Sequence, residues 1–186
     1  HNILPKHVQC IFVRQAEQLG LGDAVLCAER AVAGDPFAVL LADDFLTGNL
    51  PGVTADLVSA FERTEKSQLS VMQVDRPDIS KYGIVVPNGE SSEVVGLIEK
   101  PKLVDAPSNL ASIGRYVLTP DIFDILRNLP TGSGGEIQLA DAVNLQARNA
   151  NVEAVKLIGR RFDCGSVEGY LAACMAEGQV RGFFCV

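Results

Sequence analysis

The sequence predicts an α/β fold with a mostly parallel sheet, flanking helices and a small antiparallel part. Two observations carry this prediction. Short, strongly apolar runs alternate along the chain with segments of helical periodicity. In addition, two strand-like runs are separated only by a short polar turn, which is typical of an antiparallel hairpin.

The first part of the chain has the pattern of a βαβ unit. Residues 8–13 and 37–41 are almost continuously apolar, as strands buried on both faces of a parallel sheet are. Residues 23–31 between them have helical periodicity and begin with an acid, which favours a helix N-terminus. The spacing therefore predicts two parallel strands joined by a helix.

The rest of the chain repeats the same two patterns. Further strands are predicted at 69–74, 82–86, 93–98, 112–118 and 152–158. Further helices are predicted at 54–65, after the Thr119-Pro120-Asp121 cap, at 136–148 and at 167–177. The proline-containing segment 101–108 and the glycine-rich segment 130–135 are predicted to be loops, and residues 159–162 a short basic linker.

Length and charge limit the function classes. The 186 residues fit one domain, and the net charge of −7 argues against a broad nucleic-acid or anionic-membrane surface. The longest apolar run is far shorter than the ~20 residues that span a bilayer, and no basic-then-apolar leader opens the chain. The chain starts at His1 rather than at Met, so we expect it to be a piece of a longer protein.

Cysteine usage favours an intracellular protein. The five cysteines are odd in number and irregularly spaced, without a C-x-x-C pair, and only two histidines are present. A disulfide framework or a structural zinc site would need paired ligands. Cys164 has no histidine near it in sequence to activate it, so we do not expect a catalytic cysteine.

Acidic residues follow two predicted strands at the edge where ligands bind in open α/β sheets. Asp43 and Asp44 come directly after the strand at 37–41, and Asp163 follows the strand at 152–158 after the linker. Carboxylates at such positions can hold Mg²⁺ together with phosphate oxygens of a substrate. The alternative is that they are solvated acids in capping or turn positions.

Two further groups of residues are candidates for ligand contacts. Glu99 and Lys100 end the strand at 93–98, where they could bind sugar hydroxyls and a phosphate or simply face water. Gln15 and Gly20 lie in the loop after residues 8–13, where an amide and open backbone could read a nucleobase or form a plain turn. The sequence contains no phosphate-binding G-x-x-x-x-G-K-[ST], no G-x-G-x-x-G after a strand and no H-E-x-x-H.

Taken together, these segments resemble the bacterial UTP–glucose-1-phosphate uridylyltransferases, a branch of the sugar-nucleotide pyrophosphorylases. Seven short groups occur in the order of that family, and each alone would be a weak signal. They are RQ (14–15) with GLGDAV (20–25), LADD (41–44), YGI (82–84), EKP (99–101), APSNLA (106–111) with GRY (114–116), GEIQL (135–139) and FDCG (162–165).

The resemblance implies a role for each group of candidate residues. Nucleotide binding is implied for Gln15 and Gly20. Mg²⁺ binding is implied for Asp43 and Asp163, which with Lys100 on the sugar phosphate would be the catalytic residues. Contacts on the sugar side are implied for Gly83, Glu99, Asn109, Gly114 and Glu136.

The resemblance also implies the reaction and its setting. The phosphate of glucose 1-phosphate would attack the α-phosphorus of UTP, giving UDP-glucose and pyrophosphate, in a cytoplasmic homo-oligomer without nucleic-acid or membrane partners. The implied fold is a Rossmann-like nucleotidyltransferase sheet. It would be incomplete at the N-terminus, because the glycine-rich loop with which the family binds the triphosphate has no counterpart before residue 8.

We therefore expect a single truncated catalytic domain over residues 1–177 and an atypical tail over 178–186. Two alternatives remain open at this point. One is a related pyrophosphorylase for another nucleotide or sugar phosphate. The other, in view of the missing loop, is a non-catalytic fragment that binds a sugar nucleotide.

Overall fold

The computed structural model describes residues 5–48 and 50–183. These residues contain eight β-strands and six α-helices. The strands are β1 (Phe37–Leu40), β2 (Asp44–Gly48), β3 (Ser67–Gln73), β4 (Gly83–Pro87), β5 (Val94–Glu99), β6 (Leu110–Leu118), β7 (Val152–Lys156) and β8 (Gly159–Asp163). The helices are α1 (Leu21–Cys27), α2 (Glu29–Val32), α3 (Val53–Thr64), α4 (Ile122–Asn128), α5 (Leu139–Arg148) and α6 (Val167–Val180).

Six of the strands form one sheet with β6 at its centre. The strand order is β5-β4-β6-β3-β7, and β1 also pairs with β6. β1, β3 and β4 run antiparallel to β6, whereas β3 and β7 form a parallel pair. Since β5 is antiparallel to β4, four strands (β1, β3, β4 and β7) point one way, and β5 and β6 point the other way.

The α/β class, the flanking helices and the antiparallel hairpin of β4 and β5 are confirmed. The expectation of mostly parallel pairing is wrong for the described strands, which contain one parallel pair. The physical reason is the placement of β6. The prediction assumed that each helix joins two neighbouring parallel strands. In the structure β6 runs in the opposite direction to β1 and β3 and lies between them, so that β1 and β3 each pair antiparallel with β6.

The strand predicted at residues 8–13 is also not observed. This segment has no regular secondary structure, and its side chains are exposed, with Phe12 92% accessible. Residues 8–13 have the apolar composition of a buried strand. A strand also needs a neighbouring strand to pair with, and composition does not determine whether the fold places one there. The helix predicted at 23–31 divides into α1 and α2, with Ala28 between them.

Helices pack on both faces of the sheet. α5 buries residues at the i, i+3, i+4, i+7 and i+8 positions of one helical face, in contact with β5 and β7: Leu139, Ala142, Val143, Gln146 and Ala147. α3 contacts β3 and β6 and lies on the other face, because Gln68 of β3 donates to Thr64 Oγ1 of α3 at 3.1 Å. Leu69 and Val71 alternate with Gln68 and face the main apolar core with α5.

A separate two-stranded sheet positions the acidic residues. β2 and β8 pair antiparallel, with Asp44 opposite Asp163 and Leu46 opposite Arg161. Residues 159–162, expected to be a linker, are therefore part of a strand. α6 begins directly after β8, where the Ser166 side chain accepts a hydrogen bond from the Gly169 N–H at 3.0 Å.

Helix α6 extends through Val180, three residues beyond the end predicted for it. The predicted tail therefore begins inside this helix, and its last three residues, 184–186, lie outside the described ranges. Among residues 5–48 and 50–183, no helix combines the length and the apolar character that crossing a membrane requires.

Candidate functional site

A cavity of about 300 Å³ lies where the end of β1 meets β6, β8 and the β4–β5 hairpin. It contains acidic, basic and aromatic side chains in a small volume. Its walls are formed by Leu21, Leu41, Asp43, Asp44, Lys81, Tyr82, Gly83, Glu99, Lys100, Ser112, Gly114, Tyr116, Gln138, Leu139, Ala140 and Arg161.

Asp43 and Asp163, two of the predicted site residues, converge beside this cavity. The Cys164 N–H donates to the Asp43 carbonyl at 2.7 Å and ties the β1–β2 turn to the end of β8. A Cβ placed on Gly165 would lie 3.1 Å from Asp163 Oδ1 and 3.5 Å from Asp43 Oδ2. Both carboxylates therefore face the space that the missing side chain at position 165 leaves open.

This donor set fits a magnesium ion. Both carboxylates are exposed, and within the part of the chain that the structure describes no cluster of three or more His, Cys, Asp or Glu side chains could hold a metal. Mg²⁺ is commonly bound by one or two carboxylates together with water and substrate phosphates. Asp43 and Asp163 could thus hold a metal whose remaining ligands come from a substrate.

Asp44 differs sharply from its neighbour Asp43. It is only 6% exposed, its Oδ2 accepts a 2.6 Å hydrogen bond from the Gly114 N–H, and it forms an ion pair with Arg161. A Cβ at Gly114 would lie 2.6 Å from Asp44 Oδ2. Gly114, predicted to line the sugar side, therefore lies on the cavity wall and also lets this carboxylate reach the backbone of β6.

Arg161, which the sequence reasoning missed, connects the two sides of the cavity. Its side chain is 13% exposed, its Nη1 donates to the Tyr82 hydroxyl at 3.1 Å, and its guanidinium lies 5.2 Å from the centre of the Tyr82 ring. Desolvation by burial lowers the pKa of Arg161, but the hydrogen bond and charge of Asp44, together with Tyr82 and Asp163, raise that pKa overall. The side chain is therefore a fixed cation.

Gly83, Glu99 and Lys100 come together at the opposite wall. Gly83 is paired with Glu99 across the β4–β5 hairpin, and a Cβ at Gly83 would lie 3.0 Å from Glu99 Oε2. Lys100 has a left-handed backbone with φ of 46°, an uncommon conformation for a side chain of this size. Its N–H donates to the Tyr82 carbonyl at 3.0 Å, and its ammonium lies 3.5 Å from Glu99 Oε1.

The predicted nucleotide residues lie next to the cavity but are engaged within the protein. The Gln15 amide nitrogen donates to the Gly20 carbonyl at 3.1 Å and to Asp23 Oδ2 at 2.7 Å. Gly20 has φ of 93°, and a Cβ there would lie 2.8 Å from the Cβ of Glu136. The close approach that this glycine permits is therefore to the segment before α5.

Glu136 belongs to that segment, which is extended rather than helical, so α5 begins three residues later than predicted. The Ile137 N–H donates to the Leu19 carbonyl at 2.7 Å, and the Gly22 N–H donates to the Ile137 carbonyl at 2.8 Å. Glu136 itself is exposed and accepts a 2.8 Å hydrogen bond from Gln138, a residue of the cavity wall.

Asn109 is the one predicted residue that the structure places elsewhere. It lines a neighbouring cavity of about 310 Å³ with Arg76, Ala106 and Ser108, and its carbonyl accepts from the Val74 N–H at 3.0 Å. The cavity with the carboxylates contains instead Tyr116, whose pKa is raised by burial. Tyr116 was not predicted as a site residue.

Comparison with known proteins finds UTP–glucose-1-phosphate uridylyltransferases among the relatives of this chain. The chain is 41% identical over 182 residues to a UTP–glucose-1-phosphate uridylyltransferase of Haemophilus ducreyi, with 92% of this chain and 62% of the relative covered. It is 44% identical to the Pseudomonas aeruginosa protein of the same name, covering 89% of this chain and 61% of that one. The chain thus spans about three-fifths of the length of these relatives.

Solved structures agree with these relatives. The structure of UDP-glucose pyrophosphorylase complexed with UDP-glucose matches with a TM-score of 0.85 at 41% identity, over 90% of this chain and 65% of that one. The UTP-bound enzyme from Acinetobacter baumannii matches with a TM-score of 0.84 at 40% identity, over 95% and 62%. The sequence profile described as Nucleotidyl transferase matches residues 3–179. The chain therefore belongs to the nucleotidyl transferase family.

Proposed function

We propose that this protein transfers the uridylyl group of UTP to glucose 1-phosphate, forming UDP-glucose and pyrophosphate. The observation that carries the proposal is the convergence of Asp43 and Asp163 beside a cavity that also contains Glu99 and Lys100. Carboxylates for a metal and a lysine for a phosphate are the groups that joining two anionic substrates requires. Relatives with this activity in their names support the same reading.

In this proposal Asp43 and Asp163 hold Mg²⁺. When bound, the ion would neutralise phosphate charge and help to align the two substrates. The protein's part is to present the two carboxylate oxygens on the same side of Gly165, where the pairing of β2 with β8 and the contact of Cys164 with Asp43 keep them. Only two protein ligands are needed, because phosphate oxygens can complete the coordination.

On the sugar side, Glu99 and Lys100 have complementary tasks. The Glu99 carboxylate accepts hydrogen bonds from sugar hydroxyls, and the absence of a side chain at Gly83 leaves the space for it. The Lys100 ammonium binds the sugar phosphate as a point charge. The attacking oxygen of that phosphate is already anionic, so the protein needs no general base and acts by alignment and charge neutralisation.

On the nucleotide side, the side chain of Gln15 has one polar atom available to bind the nucleobase. Its amide nitrogen is held by Gly20 and Asp23, so its carbonyl oxygen is placed to accept from the N3–H of uracil. The backbone of Gly20 and the carboxylate of Glu136 complete this side in the proposal. The N–H of Gly114 is taken by Asp44, and Asn109 would reach the sugar only from the neighbouring cavity.

We also propose a cytoplasmic homo-oligomer whose catalytic domain extends over residues 1–177 of this chain. The odd number and irregular spacing of the cysteines support the location, and the net charge of −7 argues against nucleic-acid and membrane partners.

The test is product formation with a panel of substrates. The protein in its full length is incubated with Mg²⁺, glucose 1-phosphate and UTP, and UDP-glucose is quantified by chromatography. We expect Asp43→Asn and Asp163→Asn each to lower the rate at least about a hundredfold. Faster turnover of dTTP or of another hexose 1-phosphate would assign the site to a related pyrophosphorylase. Calorimetric binding of UDP-glucose without any turnover would instead support the non-catalytic binding fragment.

A further inference from the structure

Arg161 contacts three segments that each carry a residue of the proposed site. Its ion pair with Asp44 reaches the β1–β2 turn, next to Asp43. Its Nη2 lies 3.9 Å from Asp163 Oδ2, and both side chains project from the same face of β8, two residues apart. Its hydrogen bond to the Tyr82 hydroxyl reaches the residue that precedes Gly83.

These contacts hold the guanidinium in one orientation. Arg161 and Asp44 are 13% and 6% exposed, so their pairing is shielded from water and is stronger than a surface ion pair. The Tyr82 ring lies under the guanidinium at 5.2 Å, which adds a cation–π contact. A planar fork can satisfy a carboxylate, a hydroxyl and a ring together, whereas a lysine ammonium cannot.

The Tyr82 end of this network leads directly to the sugar side. The Tyr82 carbonyl accepts from the Lys100 N–H at 3.0 Å, and Gly83 is paired with Glu99. A displacement of Tyr82 would therefore move both Glu99 and Lys100. A displacement of Asp44 would move Asp43, its neighbour in the chain. Arg161 is the side chain that touches both ends.

We propose that Arg161 is a positioning residue that couples the metal side of the site to the sugar side, so that a divalent cation and a sugar nucleotide each strengthen the binding of the other through it. This inference rests on the proposed function. Arg161 acts through Asp44 and Tyr82 and is not assigned a contact with the substrate. Asp44 connects Arg161 to the metal side of the site, and Tyr82 connects it to the sugar side.

The charge of Arg161 and its positioning role have opposite expected effects on the affinity for a metal ion. A cation this near to Asp43 and Asp163 repels a bound metal ion, so removing the charge alone would tighten metal binding. Loss of positioning would weaken it. Substitution by lysine keeps the charge and removes the fork, and it therefore isolates the positioning effect from the electrostatic one.

The experiment measures the affinity of Mn²⁺ by electron paramagnetic resonance with and without UDP-glucose, and of UDP-glucose by calorimetry with and without Mn²⁺. The ratio of Mn²⁺ affinities with and without UDP-glucose must equal the ratio of UDP-glucose affinities with and without Mn²⁺, because coupling is reciprocal. We expect a ratio of at least about fivefold in the unaltered chain and, because direct contact between metal and phosphate persists, a ratio at least about twofold lower in Arg161→Lys. Arg160→Lys is the matched control. Arg160 neighbours Arg161 in β8, but its guanidinium lies over Phe162 at 4.7 Å, and it is not part of the cavity wall.

Tyr82→Phe keeps the ring and removes only the hydroxyl, so it tests the coupling even if Arg161→Lys does not fold. We expect it to weaken UDP-glucose binding about two- to tenfold with Mn²⁺ binding in the absence of UDP-glucose unchanged, and to lower the ratio. An unchanged ratio in both Arg161→Lys and Tyr82→Phe would overturn this inference and leave the proposed function standing. An unaltered chain that binds neither Mn²⁺ nor UDP-glucose would contradict the proposed function, and this inference with it.

Discussion

Asp43 and Asp44 are adjacent carboxylates with opposite predicted effects when each is changed to asparagine. Asp43 is exposed, and the structure gives its carboxylate no hydrogen bond or ion pair within the described residues. Asp44 is buried, accepts from the Gly114 N–H and is paired with Arg161. The substitution Asp→Asn hardly changes the size of either side chain, so the comparison isolates charge and hydrogen bonding.

The magnitude follows from burial. Asp44→Asn leaves the Arg161 cation buried without its carboxylate, and breaking a buried pair in this way typically costs about 3–5 kcal/mol in the free energy of unfolding. For a chain of this size each kcal/mol corresponds to roughly 2–4 °C in Tm, so we expect Tm to fall by about 6–20 °C. Asp43→Asn removes no folded-state contact, and we expect a change within about 0.5 kcal/mol.

The assay is urea and thermal unfolding followed by circular dichroism, with Mn²⁺ affinity measured on the same samples below Tm. Asp43→Asn should lose at least about tenfold in Mn²⁺ affinity while unfolding like the unaltered chain. Equal stability of the two variants, or a larger loss of stability in Asp43→Asn, would refute the assignment of one carboxylate to the metal and the other to the protein.

Two further predictions concern the packing of the same sheet and one partly buried thiol. Gly114→Ala should destabilise the fold by about 1–3 kcal/mol, measured by urea unfolding, because a Cβ there would lie 2.6 Å from Asp44 Oδ2 and must displace it. An unchanged unfolding midpoint would show that this carboxylate is not held against β6. Desolvation and the nearby Asp23 raise the pKa of the Cys27 thiol, so its reactive thiolate is scarcer at a given pH. We expect Cys27 to be alkylated more slowly than the exposed Cys10 at pH 8, to react faster as pH rises, and to lose part of the difference in Asp23→Asn. Mass spectrometry of the labelled peptides measures this, and equal rates would contradict it.

The pattern of apolar and polar residues predicted most elements because it reflects local burial. β3, β4, β5, β6 and α3 lie close to their predicted positions. Pairing between strands is a different matter. The placement of β6 between β1 and β3 depends on where the chain returns, and the period of the side chains carries no information on that. The apolar segment at residues 8–13 was wrongly predicted as a strand for the same reason, because its composition carries no information on a pairing partner.

Part of the candidate site was predictable from the positions of acidic residues after predicted strands. Acids after the strands predicted at 37–41 and 152–158 suggested Asp43 and Asp163, and the structure brings these two side chains together. Burial separates Asp43 from Asp44, and the sequence has no signal for it. Arg161 was missed because residues 159–162 were interpreted as a linker. Strand periodicity over residues 159–163 would have placed Arg161 on the face of Asp163.

Gln15 and Gly20 illustrate the opposite error. A glutamine and a glycine in a loop after an apolar segment suggested open ligand-binding groups. In the structure the amide nitrogen of Gln15 and the open side of Gly20 are used to fix the loop to α1 and to the segment before α5. The Gln15 contacts are local, but the close approach of Gly20 to Glu136 joins parts of the chain more than a hundred residues apart, which no local pattern could reveal.

Phosphorus NMR of one reaction mixture tests the central claim most directly. The protein in its full length is mixed with UTP, glucose 1-phosphate and Mg²⁺, and all phosphorus signals are followed in time. The account predicts that UDP-glucose and pyrophosphate appear in equal amounts, that both need Mg²⁺, and that both form at least about a hundredfold more slowly with Asp43→Asn. Unchanged UTP, or its hydrolysis to UMP without UDP-glucose, would contradict the proposal that this site joins the two substrates.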